Sequence, residues 1–211
     1  MAFLKNTSSY QSENNNGEKI VVKKPIVEYL ISSGYAYVYT LIFSIFGLIF
    51  LMEIVPNFLK VIFGFVFGSP IVVMLFYRGN KLGERDYKFA NKKMLSDIHN
   101  ANCTKKVSLI KSVLHMLPFV GSSILLTVLS VACKTQWLQG VMAILFIPTT
   151  LIFNGLGLFR VEAGFISWYV VLSVTIFVVV VACAFVGGYV KAVIFMRKRE
   201  RDVVSEIRSF E

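Results

Sequence analysis

RGNKLGERDYKFANKKMLSDIHNANCTKKVSLIK, residues 78–111, is a polar and basic stretch set between long apolar runs, and its reading decides the fold. It holds nine cations (Arg78, Lys81, Arg85, Lys88, Lys92, Lys93, Lys105, Lys106, Lys111) against three anions (Glu84, Asp86, Asp97). The flanking runs are of the length, about 20 residues, needed to cross a ~30 Å hydrocarbon layer. Short loops this rich in Lys and Arg stay cytoplasmic, because positive charge beside a span resists translocation. The stretch therefore orients every other element.

Composition agrees. The chain has 211 residues, is 56% hydrophobic with mean hydropathy +0.69, and is only 16% charged, against roughly 25% for a soluble domain. So much apolar surface does not fit inside one water-soluble core. The sequence predicts an all-α, polytopic transmembrane helical bundle. The formal charge of +10 does not point to nucleic acid, since the cations flank apolar runs instead of forming one basic face. They fit positive-inside bias and attraction to anionic lipid heads at the inner face. Cys103, Cys133 and Cys183 are scattered, without metal-ligand spacing, and read as unpaired thiols.

Residues 1–24 are rich in Ser, Asn, Glu and Lys with no apolar periodicity, and read as a flexible cytoplasmic tail. The pattern of a cleavable signal peptide is not seen. Residues 25–77 form an interfacial lead-in and a first transmembrane hairpin: Tyr35–Met52 crosses, Glu53, Pro56 and Asn57 turn, and Phe58–Tyr77 returns. Lys60 is expected to snorkel. Gly64 and Gly68 make a GxxxG pattern suited to close helix packing, and Pro70 is expected to kink the span.

Within residues 78–111, Tyr87, Ala90, Met94 and Ile98 recur at helical spacing while Arg85, Lys88, Lys92 and Lys93 fall largely on other faces. This predicts a basic amphipathic helix lying in the interface. Arg85, Lys88, Lys92, Lys93, Lys105 and Lys106 are the candidate lipid- or partner-binding residues.

Residues 112–196 make the second transmembrane half. Val113–Cys133 is the third span, with Gly121 and Ser122 as a small-residue packing face and His115 as a candidate polar site near its inner end. Trp137–Phe159 is long enough to cross, but Pro148, Thr149, Thr150, Asn154, Gly155 and Gly157 crowd its second half. Such backbone is tolerated at membrane depth only where protein or a water-filled cavity satisfies it. Asn154, Arg160 and Glu162 join His115 as candidate polar positions. Phe165–Met196 is a long last span that tilts or protrudes, and residues 197–211 are a charged tail.

The positive-inside rule separates four spans from five. With Trp137–Phe159 a broken, re-entrant or interfacial element, 18 Lys and Arg lie inside and three (Lys60, Lys134, Arg160) outside; with five spans the split is 14 and seven, Lys191 being left out of both. Four complete spans plus one broken segment obey the rule better, with N-terminus, central loop and C-terminus all cytoplasmic. Hydropathy alone prefers five.

Gly83-Glu84-Arg85-Asp86 between a hairpin and a basic lead-in, and the late Gly187-Gly188-Tyr189 followed by basic residues, resemble small uncharacterised multi-pass membrane proteins of Gram-positive bacteria. That resemblance implies architecture and no activity.

His99 and His115 are the two histidines and neither belongs to an HExxH motif; GxSxG, Walker A and dinucleotide fingerprints are absent. No cofactor or metal is expected, and no enzymatic activity. The expected role is an accessory, assembly or immunity-type component of the cell membrane that contacts lipid, a membrane-protein partner or a second copy of itself. The alternative is a small transporter or a permease or channel subunit.

Overall fold

A computed structural model describes residues 9–13, 19–23, 25–51, 55–96, 110–133, 136–157 and 168–208. Four helices dominate: α1 (Pro25–Gly47, continued by a 3-10 turn Leu48–Leu51), α2 (Asn57–Ser96), α3 (Ile110–Ala132) and α6 (Trp168–Arg208). Between α3 and α6 lie two short helices, α4 (Gln136–Leu145) and α5 (Ile147–Gly155). Among the described residues four segments are long and apolar enough to cross a membrane: Ile26–Phe50, Asn57–Lys88, Ile110–Ala132 and Val171–Glu200. The helical-bundle class and the count of four membrane-length helices both stand.

Ahead of the bundle, β1 (Ser9–Glu13) pairs antiparallel with β2 (Lys19–Lys23), Ser9 opposite Lys23. The tail reading missed this hairpin. Its signal is the β-branched run Ile20-Val21-Val22, too short to stand out against the polar residues around it.

Contacts between helices set their directions. Ser32 and Ser33 of α1 meet His115 of α3, and Tyr37 meets Ser122 and Ser123, so these two helices run parallel. Gly68 lies against Phe177, Gly79 against Phe185, and Gly83 against Tyr189 and Ala192, so α2 and α6 also run parallel. Arg85 meets Glu28 while Arg78 meets Tyr35, which makes α2 antiparallel to α1. The starts of α1 and α3 and the ends of α2 and α6 therefore share one face, here the basic face. The opposite end is the far face.

The α4–α5 segment starts just after α3 on the far face. It descends until Pro148 lies beside Gly64 and Gly68, then returns until Gly155 lies against Asn57 and Val61 at the start of α2. It enters and leaves by the same face, and is re-entrant. The reversal is at Phe146 (φ −114°, ψ 33°). Its carbonyl accepts the hydroxyls of Thr149 at 2.8 Å and Thr150 at 3.1 Å, while Ser44 of α1 donates to the Leu145 carbonyl at 2.7 Å. Groups freed by the break are thus satisfied inside the protein, as an apolar surround requires. Pro148 sits in the first turn of α5, where its missing N–H costs nothing.

One expectation is overturned. The second span does not end at Tyr77 and hand over to a separate interfacial helix; α2 is continuous for 40 residues, with Pro70 inside it. At 1.5 Å per residue that is about 60 Å, twice a ~30 Å hydrocarbon layer. Tyr87 does not face lipid but is buried against Tyr189 and Val193 of α6. The buried positions of α2, namely Lys60, Gly64, Gly68, Ile71, Leu75, Gly79, Gly83 and Tyr87, form one stripe at three- and four-residue spacing that passes through Arg78 without a break. On α6, Val174, Val178, Val181, Phe185, Gly188 and Ala192 alternate spacings of four and three, the seam of a helix pair. The core is completed by Met116 and Phe119 of α3, Met142 of α4 and Phe146 at the break.

Candidate functional site: a charged knot joining four helices

Glycine lets the site form. A Cβ on Gly79 would strike the backbone of Phe185, and one on Gly83 would come within 2.6 Å of the Tyr189 carbonyl. From the other side, a Cβ on Gly188 would strike the backbone of Phe76. Backbone meets backbone here, as small residues permit between membrane helices. The crossing brings Asp86 of α2 beside Tyr189 of α6.

Asp86 is the centre of the site. The Lys111 ammonium lies 2.8 Å from its carboxylate, the Tyr189 hydroxyl donates to it at 3.1 Å, and the Arg85 guanidinium is 3.6 Å away. Arg85 also reaches Glu28 of α1 at 3.1 Å. The chain Glu28–Arg85–Asp86–Lys111 with Tyr189 therefore ties α1, α2, α3 and α6 together. The Asp86 side chain is only 9% exposed, so its charge depends on these partners more than on water. Further along the basic face, the Tyr87 hydroxyl donates to Glu200 and extends the α2–α6 pairing.

His115 lies one turn of α3 beyond Lys111 and is fully buried. Its Nδ1 shares a 3.0 Å hydrogen bond with the Ser32 hydroxyl, Ser33 donates to its backbone carbonyl at 3.1 Å, and the Tyr29 ring meets it edge-on at 4.7 Å. Its Nε2 has no partner among the described residues. The ring thus works as a hydrogen-bonded α1–α3 contact.

The other sequence candidates fall in different places. Gly64 packs on α5, where a Cβ would approach the Pro148 carbonyl to 2.7 Å, and Gly68 makes ordinary contact with Pro148 and Phe177. The GxxxG pattern therefore serves packing within the chain. Ser122 accepts or donates at 2.6 Å with the Tyr37 hydroxyl, but Gly121 faces outward with nothing within 4 Å of a built Cβ, so the proposed packing face turns on Ser122 and Ser123. Lys60 does not snorkel: it is buried and its ammonium donates to Asn154 at 3.3 Å, pinning α5 to α2. Of the basic candidates, Arg85 is in the knot and Lys88 is exposed one turn on. Lys92 and Lys93 lie in the last turns of α2 with side chains outside the described residues, and Lys105, Lys106, Arg160 and Glu162 are outside them altogether.

Sequence reading passed over Glu28, Asp86, Lys111 and Tyr189 as site residues. The available signal was a second GxxxG, Gly79 to Gly83, eleven residues on from Gly68 and so on the same side of the helix. Among the described residues no group of His, Cys, Asp and Glu is placed to hold a metal ion.

No family model, no curated protein and no solved structure matches this chain. Four helices of this length and apolarity, tied by a partly exposed cluster of paired charges, have the build of an integral membrane protein.

Proposed function

We propose that the chain is a non-catalytic, multi-pass component of the cell membrane, of accessory, assembly or immunity type, acting through a cytoplasmic basic face. One observation carries this reading. Beyond their apolar lengths α2 and α6 continue side by side, and their extensions present Lys88, Arg197, Lys198 and Arg199 exposed on the face where α1 and α3 begin. Positive charge on the extensions supports a cytoplasmic placement, and a rigid pair of basic helices suits an acidic surface on a membrane-protein partner or a second copy, and anionic lipid heads. Nucleic acid is not among the partners proposed. The likeness to small multi-pass proteins of Gram-positive bacteria belongs to the same proposal. The charges of the knot are already matched to one another, which supports a structural use for them.

The test is purification from native membranes in mild detergent. An acidic partner that co-elutes with the parent and is lost from the Lys88→Glu/Lys198→Glu variant supports the docking role. A second reading, a permease or channel subunit, draws on the re-entrant α4–α5 pair, a form that non-helical backbone takes in transport proteins. Solute flux through vesicles holding this protein alone would establish that reading and remove the first.

A further inference from the structure

Between α1 and α2 on the basic side lies a groove of about 430 Å³. Its floor changes character along its length. Toward the membrane interior it is lined by Tyr39 and Met74; toward the basic face it is lined by Ser32, Arg78, Lys81 and Arg85. The antiparallel register orders these pairs, Tyr39 near Met74, Tyr35 at Arg78, and Glu28 at Arg85.

Each cation is held differently. The Arg78 guanidinium stacks 3.3 Å from the Tyr35 ring centroid, and the Lys81 ammonium lies 4.7 Å from that of Tyr77. Aromatic faces position a cation without neutralising it. Arg85, which lines the basic end of the groove, is already paired with Glu28. Among the described residues no carboxylate pairs with Arg78 or Lys81. Met74 and Tyr77 are 42% and 57% exposed, so the groove opens sideways, toward what surrounds the bundle.

We propose that this groove binds one anionic phospholipid, with its phosphate between Arg78 and Lys81 and its acyl chain along Met74 and Tyr39. A forked guanidinium and a point-charge ammonium together match phosphate oxygens. The apolar half gives the acyl chain a place that free phosphate does not use. The site rests on the proposed function only in taking the basic face to lie at a membrane surface, and its residues Arg78 and Lys81 are distinct from the exposed docking cations.

Native mass spectrometry tests it on the full-length protein released from mixed micelles of equimolar phosphatidylglycerol and phosphatidylcholine. The parent should retain one phosphatidylglycerol in preference to phosphatidylcholine. Arg78→Gln and Lys81→Gln should each lower that preference about fivefold, while Lys191→Gln, an equal loss of charge elsewhere on the basic side, should change it by less than about twofold. Met74→Trp, which fills the apolar end and leaves the charges in place, should lower retention of phosphatidylglycerol. Helical circular dichroism and a single elution peak identify variants that still fold. Equal losses in Lys191→Gln and Lys81→Gln would show diffuse surface charge and overturn the site. Complete displacement of the lipid by inorganic phosphate, or no effect of Met74→Trp, would overturn the lipid in favour of a simple anion. Lipid selectivity in a protein that captures no acidic partner would count against the docking role and leave the groove standing.

Discussion

Gly79 and Gly188 are the residues at which the two long helices come closest, and each has backbone where a side chain would be. Backbone yields less readily than the tip of a flexible side chain, so Gly79→Ala must push α2 and α6 apart and should cost about 1–3 kcal/mol. Gly187→Ala, next in sequence and facing open space, should be neutral or slightly stabilising. Thermal unfolding in detergent compares the two. Asp86→Asn keeps shape but removes the charge that answers Lys111 and Arg85, and should cost roughly 1.5–3 kcal/mol by the same measurement. Neither role was legible from the neighbours of these residues. Asp86 sits in a stretch that reads as a solvated loop, and its hydroxyl partner is 103 positions away in the chain.

The helices themselves were far more legible than their ends. Apolar runs near 20 residues located all four spans, and Pro148, Asn154 and the nearby glycines marked the one segment that would not cross as continuous helix. Hydropathy falls at Arg78, and a span read on polarity alone ends there. Spacing does not fall there, since Leu75, Gly79, Gly83 and Tyr87 continue the buried stripe. Polarity reports where a helix leaves lipid, not where it stops being helix. For α4–α5, composition suits a kinked span and a re-entrant loop equally, and the decision lies in contacts with α2. Gly64→Leu should therefore unseat α5, because a side chain at Gly64 meets Ile152 and the Pro148 carbonyl. The expected result is loss of about 1–3 kcal/mol with faster thiol labelling of Thr150→Cys, while the four spans stay inserted. Unchanged labelling would mean that α5 is not held by this contact.

At the scale of the whole molecule, the arrangement is two parallel helix pairs of opposite sense, with a re-entrant plug on the far face and two helices of about 60 Å extending past the basic face. Counting Lys and Arg favoured four membrane-length helices plus one broken segment without any knowledge of packing, and the described residues hold four such helices. The α4–α5 segment returns to the face it entered by, which leaves the start of α1 and the end of α6 together on the opposite face. Single cysteines placed in turn at Ile26, Lys88, Lys198, Phe58, Trp137 and Leu156, in a chain whose Cys103, Cys133 and Cys183 are replaced by Ser, test it with an impermeant thiol reagent on intact and permeabilised cells. The fold predicts that positions 26, 88 and 198 label together from one side and 58, 137 and 156 together from the other. Labelling of 137 and 156 from opposite sides, with 198 joining 58, would make α4–α5 a fifth span and contradict the account.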